Sequence, residues 1–108
     1  MTTQALAIMA IFSSDPTTER HGFDLAEQAG LKSGTLYPLL ARFERAGWLS
    51  SRWEDIDPHI AGRPRRRLYA LTAHGADAAR HELRTHLRAV SIPRSEPLPT
   101  PAREWGLA

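Results

Sequence analysis

The residues of this chain best suited to binding an anionic ligand are arginines gathered in one short segment. Four guanidinium groups fall within five positions, at Arg63, Arg65, Arg66 and Arg67. Proline and glycine flank them, which predicts a loop. Arginines in a loop can hold a phosphate backbone or enter a minor groove, so we expect DNA contacts here, above all from Arg63 or Arg65. Arg67 can instead turn inward and pair with Glu54, and a charge run can also be plain solvated surface.

A second group of polar residues lies earlier in the chain, where an amphipathic helix begins. Four apolar residues at helical spacing define its buried side: Leu36, Leu39, Leu40 and Phe43. Residues near the N-terminus of such a helix can reach base edges in a major groove, and the helix dipole favours phosphate there. We therefore predict DNA contacts from Lys32, Ser33, Thr35 and Tyr37.

These assignments leave alternatives open. Ser33 or Thr35 can be the N-cap of the helix, and capping can coexist with DNA contact. If Thr35 is the cap, Pro38 lies in the first turn, whereas a cap at Ser33 predicts a slight kink. Tyr37 falls outside the apolar side, so its hydroxyl is expected to face phosphate. Arg42 lies further along the helix and can contact DNA or remain solvated.

The elements that position these residues are predicted from apolar periodicity and from glycine and proline. A first helix begins at Thr2 or Thr3 and ends near Ser13, and a second spans 23–29 and stops at a left-handed Gly30. Only three to four residues separate the second helix from the third, which is the turn of a helix-turn-helix. The inward residues of the second helix are predicted to be Phe23, Leu25, Ala26 and Ala29.

Two strands and a final helix follow the helix-turn-helix. Residues 48–54 and 66–71 have the β-type composition of strands, and the loop between them is a wing. Thr72 caps a last helix over 73–90, after which prolines are expected to forbid a helix. The predicted fold is mainly α with a small β-wing. It comprises a winged helix-turn-helix DNA-binding domain (1–72), a dimerisation helix (73–90) and a disordered proline-rich tail (91–108), in which Trp105 is the one candidate anchor.

Self-association is expected because a chain of 108 residues buries only about 60% of its unfolded surface. The first helix is apolar on every side, which predicts cover from its own domain and from a second copy. The final helix has a narrow apolar stripe beyond the wing. The predicted dimer interface comprises Leu6, Met9, Leu83, Leu87 and Val90.

Other kinds of site have weaker support. Trp48 and Trp53 can line a pocket for a flat aromatic effector, or they can simply pack within the strand and core. His74, Asp77 and His81 share one helix side and can in principle hold zinc, but two histidines and a carboxylate on an exposed helix are more often solvated. No metal or cofactor is therefore predicted. The chain has no cysteine and no nucleophile motif, so we expect no catalysis.

Composition narrows the class of protein further. The longest apolar run, 5–12, is far shorter than the roughly 20 residues of a membrane-spanning helix. No disulfide can form, which fits a reducing compartment. The net charge is only +2, so the placement of the arginines says more than their sum. The expected location is the cytoplasm.

Four blocks of sequence together resemble the PadR family of bacterial transcriptional regulators. In chain order they are HGFDLA (21–26), SGTLYPLLARFERAGWL (33–49), RWE (52–54) and GRPRRRLYALTAHG (62–75). The resemblance implies a winged helix that binds operator DNA as a homodimer and usually represses, often until a small molecule binds. Room for one C-terminal helix indicates the short subfamily. That helix departs from the family pattern because it has no tryptophan to stack on an aromatic ligand.

The sequence thus predicts a sequence-specific transcriptional regulator, a homodimeric repressor on a palindromic operator. Three to five phosphates neutralised by each copy predict a slope of log K against log salt of about −5 to −9 for the dimer. The first alternative is a winged-helix adaptor that binds protein without DNA, since fold alone does not fix function. The second is a small ligand carrier or enzyme that uses the dimer cleft.

Overall fold

The computed structural model describes the backbone of residues 1–95 and the side chains of residues 1–87. Its helices and strands are a winged helix-turn-helix followed by one long helix. In chain order they are α1 (Thr3–Ser14), β1 (Arg20–His21), α2 (Gly22–Ala29), α3 (Ser33–Arg45), β2 (Leu49–Trp53), α4 (Pro58–Ala61), β3 (Arg67–Leu71) and α5 (Ala73–Ser95). Within the described residues, no helix is long and apolar enough to cross a bilayer.

Helix α1 is buried in the protomer itself. The hydroxyl of Thr2 accepts the first free N–H of the helix, from Ala5, at 3.1 Å, and α1 packs against α2 and α5. Met9 is completely buried and Leu6 is 9% exposed in the single chain. That both lie in a dimer interface stays a prediction, and this packing gives it no support, because Met9 presents no accessible surface to a second copy and Leu6 presents little.

Helix α2 begins one residue earlier than its apolar pattern predicts, and its buried side is not the predicted one. Gly22 and Leu25 are buried, while Phe23 is 65% exposed. The predicted inward position of Phe23 is wrong because the buried side of α2 runs through Gly22 and Leu25, and residue 23 lies about 100° around the helix from Gly22. The Phe23 ring stacks on His21 instead, with 6.5 Å between centroids.

The turn before α3 has the predicted form. Gly30 has a φ of 68° and its N–H donates to the last carbonyls of α2, a left-handed stop that favours glycine. Helix α3 begins at Ser33, so Pro38 lies inside it rather than in its first turn. The predicted core residues of α3 are all buried: Leu36, Leu39, Leu40 and Phe43.

The sheet has three antiparallel strands in the order β1-β3-β2. Leu49 opposes Leu71 at one end of the β2–β3 pair and Trp53 opposes Arg67 at the other. Strand β1 was not predicted, because two residues are too short for alternation to show. Leu49 and Tyr69 turn inward and join the core formed by α1, α2 and α3.

The wing loop contains the short helix α4, which was also not predicted. The Asp57 carboxylate accepts from the N–H of His59 at 2.9 Å, and Pro58 occupies the first helical position. Gly62 ends the turn with a φ of 71°. Asp-Pro before a helix and glycine after it are standard boundary signals, but a span of four residues leaves no apolar period between them.

Helix α5 starts as predicted and ends later. Thr72 caps it, since its Oγ1 accepts from the N–H of Gly75 at 2.9 Å and donates to the carbonyl of Gly47 at 2.6 Å. The helix continues through Pro93 to Ser95, beyond the predicted end at residue 90. The proline removes one N–H donor from the last turn without ending it. The side chain of Val90 and the tail from residue 96 onward, including Trp105, lie outside the described residues.

Candidate nucleic-acid interface

A groove joins the N-terminal part of α3 to the wing. It has a volume of about 400 Å³ and we call it the wing groove. It brings together side chains from both helices of the helix-turn-helix and from both long strands. Its lining residues are His21, Gly22, Phe23, Tyr37, Trp53, Arg65, Arg66, Arg67 and Tyr69. The structure therefore places two of the predicted DNA-binding segments side by side.

The N-terminus of α3 has no side-chain cap. Lys32 occupies the N-cap position and makes no capping hydrogen bond, so neither Ser33 nor Thr35 is the cap that the sequence allowed. Both residues are exposed, as is Lys32. The first N–H groups of a helix need partners, and an anion is a favourable one. The hydroxyls and the helix end are thus available to a ligand on this surface.

Tyr37 of α3 packs against Gly22 at the start of α2. Its ring packs so closely over Gly22 that a side-chain carbon at residue 22 would collide with the hydroxyl. Tyr37 is nevertheless 47% exposed, which agrees with its predicted position outside the apolar side of α3. Its hydroxyl can therefore donate to a phosphate that enters the wing groove.

Two of the four wing arginines are engaged inside the protein. Arg63 donates to both carboxylate oxygens of Glu54, at 2.7 and 3.0 Å. The predicted Arg67–Glu54 pair is therefore wrong. Arg67 donates to Ser51 Oγ at 3.0 Å, and its guanidinium lies 5.2 Å from the centre of the Trp53 ring. The strand register decides this, since Arg67 sits opposite Trp53 and turns toward α3.

Arg65 and Arg66 retain their charge for a ligand. Both are exposed, and among the described residues neither has a carboxylate within ion-pair distance of its guanidinium. The Nε of Arg65 donates to the carbonyl of Ile56 at 3.0 Å, which orients the side chain without neutralising it. These two residues, with Lys32, are the cations best placed for phosphate on this surface.

The carboxylate of Glu54 is held strongly in its charged form. Hydrogen bonds from Arg63, followed by the backbone N–H of Arg66, lower the pKa of Glu54 from 4.5 to about 2. The same pairing raises the pKa of Arg63 above its usual value. On the neighbouring edge, hydrogen bonds from Arg52 lower the pKa of Glu19. Burial raises the pKa of the Tyr69 hydroxyl.

Arg42 lies away from the wing groove. It lines a cavity of about 720 Å³ between α1, α3 and α5, together with Trp48 and Glu82. Trp48 stacks on Phe43 there, with 5.6 Å between ring centroids. Trp53 lines the wing groove and an open hollow in the wing loop instead. The two tryptophans therefore do not form one pocket, and Arg42 is not brought together with the other predicted DNA contacts.

The remaining predicted sites lie on α5. His74, Asp77 and His81 are exposed, and Asp77 pairs with Arg80 one turn on. The part of the chain that the structure describes contains no cluster of three metal ligands. Leu83 is half-buried and Leu87 is 62% exposed, so the apolar stripe reaches the surface toward the end of α5.

Sequence reasoning missed two features of the interface. Phe23 lines the wing groove, and only the exact start of α2 reveals this. Glu54, the last residue of a predicted strand, was considered only as a partner of Arg67, whereas the structure pairs it with the side chain of Arg63 and the backbone N–H of Arg66. The register that joins it to Arg63 is a tertiary property and is not visible as a local spacing.

Comparison with known proteins agrees with this geometry. A model of the PadR-like transcriptional regulator family matches residues 16–81. The smu.1704 protein of Streptococcus mutans UA159 is 28% identical over 82% of this chain and 79% of its own, with a TM-score of 0.65. A PadR-like transcription factor from Bacteroides fragilis is 26% identical over 84% of this chain and 85% of its own, with a TM-score of 0.62.

A further solved structure shows the same fold at lower identity. A PadR family transcription regulator from Clostridium difficile R20291 is 23% identical over 88% of this chain and 97% of its own, with a TM-score of 0.70. A search of curated proteins gives no match. The family model covers well over half of the chain, and its helix-turn-helix and wing are those described above. The chain therefore belongs to the PadR-like family of transcriptional regulators, which are DNA-binding winged-helix proteins and not enzymes.

Proposed function

We propose that two copies of this chain bind a palindromic operator in the cytoplasm and repress transcription from it. The observation that supports this best is the wing groove, which Tyr37 of α3 lines together with Arg65 and Arg66, two arginines without a carboxylate partner among the described residues. An α3 helix from each copy enters successive major grooves about 34 Å apart. The α5 helices of the two copies form the dimer, with Leu83 and Leu87 in the contact.

The contacts divide into two kinds. Ser33 and Thr35 are exposed at the end of α3 that faces base edges, and they select the sequence, while Lys32 beside them binds phosphate. Tyr37, Arg65 and Arg66 bind phosphate and set the affinity. Arg63 and Arg42 are left out of this set, because Arg63 is bonded to Glu54 and Arg42 lies in a different cavity.

The experiment that tests the proposal is selection of fragments from genomic DNA by the purified protein. We expect recovery of a palindromic site with half-sites one helical turn apart. Thr35→Ala is expected to change the preference among selected sites, whereas Arg65→Ala weakens binding to all of them alike. If no fragment is enriched over competitor DNA at low salt, the adaptor alternative is favoured instead.

The cavity of about 720 Å³ favours an effector as a second element of the proposal. It is lined by apolar side chains with Arg42 and Glu82 at its edge, and it lies where α3 meets α1 and α5. A small aromatic acid bound there can change the angle of α3 relative to the dimerisation helix. Release of the selected operator by an aromatic carboxylate, abolished in Trp48→Ala, is the expected result, and insensitivity of binding to such acids argues against it.

A further inference from the structure

One carboxylate closes the base of the wing loop. Glu54 Oε1 accepts from Arg63 Nη1 at 2.7 Å and from the backbone N–H of Arg66 at 2.8 Å, while its Oε2 accepts from Arg63 Nη2 at 3.0 Å. We propose that Glu54 is a positioning residue for DNA binding, which fixes the wing loop so that Arg65 and Arg66 are presented to the duplex. This inference rests on the proposed contact between wing and DNA.

Glu54 holds the loop through both its backbone and its side chain. Its N–H donates to the carbonyl of Arg66 at 2.9 Å and continues the β2–β3 ladder by one pair. Its side chain is only 16% exposed, so water competes poorly for the carboxylate. The bonds join residues nine and twelve positions apart and therefore close the whole loop, which lowers the entropy lost when DNA binds.

Arg65 lies between two residues, Arg63 and Arg66, that are both bonded to Glu54. Arg66 is tied to Glu54 through its backbone, and Arg63 through its guanidinium. Arg65 lies between them and donates to the carbonyl of Ile56 on the opposite side of the loop at 3.0 Å. Arg63 is therefore a structural cation of the wing, and Arg65 and Arg66 are the two that it helps to present.

Removal of the Glu54 carboxylate is expected to change DNA affinity in one direction if Glu54 acts only through its charge, and in the opposite direction if it positions the wing loop. Glu54 is negative and close to a surface proposed to bind phosphate, so by charge alone Glu54→Gln should tighten binding and release Arg63 for an extra contact. If Glu54 positions the wing, the same substitution weakens binding, because an unordered loop must be ordered by DNA. The sign of the change therefore separates the two effects.

A matched control exists in the same domain. Glu19 forms a two-pronged pair with Arg52, at 2.7 Å for each hydrogen bond. Glu19→Gln removes the same charge and the same kind of ion pair. The Glu19–Arg52 pair joins the segment before β1 to β2, and among the described residues the side-chain hydrogen bonds of Glu19 go to Arg52 and not to the wing loop.

The test compares Glu54→Gln, Glu54→Ala and Glu19→Gln with the unmodified protein on the selected operator, by fluorescence anisotropy over a range of salt. We expect Glu54→Gln to raise Kd about five- to tenfold, the scale of losing a charge-assisted hydrogen bond, and to make the salt slope shallower. Glu19→Gln should not raise Kd. Amide exchange in the free protein should quicken at Arg66 in Glu54→Ala and stay unchanged at Leu40 in α3.

The outcomes separate this inference from the proposal that it rests on. If Glu54→Gln binds as tightly as Glu19→Gln while Arg65→Ala binds more weakly, the wing contact stands and the role of Glu54 is overturned. Unchanged exchange of the Arg66 amide in Glu54→Ala overturns it as well. If Arg65→Ala and Arg66→Ala both leave Kd unchanged, the wing does not bind DNA and both proposals fail.

Discussion

At the scale of single residues, the structure separates side chains that look alike in the sequence. Four arginines in five positions suggest one basic patch, but Arg63 and Arg67 are bonded within the protein, whereas Arg65 and Arg66 are exposed. The basic composition of the wing was therefore predictable, whereas it was not predictable which arginines bond within the protein and which remain exposed. It depends on which residues the β2–β3 register places opposite each other.

Substitution by alanine is expected to change the free energy of unfolding in opposite directions at two helical glycines, Gly75 and Gly34. A side-chain carbon at Gly75 would collide with the backbone of Trp48, whereas one at Gly34 would meet nothing within 4 Å. We expect Gly75→Ala to lower the free energy of unfolding by about 1–3 kcal/mol, since a rigid backbone must move. Gly34→Ala should raise it by up to about 1 kcal/mol through helix propensity. Urea unfolding of both variants measures this.

The comparison of Gly75→Ala with Gly34→Ala is informative because both substitutions add the same methyl group. Gly34 also lies at the end of α3 proposed to approach DNA, so Gly34→Ala is expected to bind the operator more weakly despite its greater stability. Equal destabilisation of the two variants would mean that α5 does not pack against Trp48 as described.

At the scale of elements, the long amphipathic segments were predictable and the short ones were not. The buried side of α3, the stop at Gly30 and the cap at Thr72 follow from periodicity and local chemistry, and the structure confirms them. Strand β1 and helix α4 have two and four residues, too few to show a period. The end of α5 was misjudged because a proline was assumed to stop a helix that continues past it.

The wing gives a prediction about acid stability. The pKa of Glu54 is lowered from 4.5 to about 2 in the folded protein, so its ion pair contributes stability above pH 4.5 that is lost as the pH falls toward 2. Glu54→Gln lacks a titrating group at this position. We therefore expect the difference in free energy of unfolding between the two proteins to narrow steadily over that range. A constant difference across the range would show that the carboxylate is not bonded as described.

At the scale of the whole molecule, the sequence predicts a dimer, and the packing of the single chain limits which residues can contact a second copy. An all-apolar α1 suggested cover by a second copy, yet the single chain already buries Met9 completely. A helix enclosed by its own domain and one enclosed by a partner have the same composition, so only the packing distinguishes them. The candidate interface that remains is the apolar stripe of α5 at Leu83 and Leu87.

The dimer proposal predicts the effect of a charge in that stripe. Leu87 is 62% exposed, so Leu87→Asp should leave the protomer folded and place a charge where two α5 helices meet. We expect sedimentation to show a monomer, and binding to a palindromic duplex to weaken much more than binding to a single half-site. Thr85→Asp, also exposed on α5, is the matched control and should remain dimeric. If the Leu87→Asp protein is still dimeric, the dimer interface does not include Leu87 and the proposed location is wrong.

The most direct test of the account is the salt dependence of operator binding. If Lys32, Arg65 and Arg66 of each copy contact phosphate, six contacts predict a slope of log K against log salt of about −5.4. Removing Arg65 from both copies leaves four contacts and a slope of about −3.6. A slope that is near zero, or that Arg65→Ala leaves unchanged, would contradict the central claim that α3 and the wing bind DNA together.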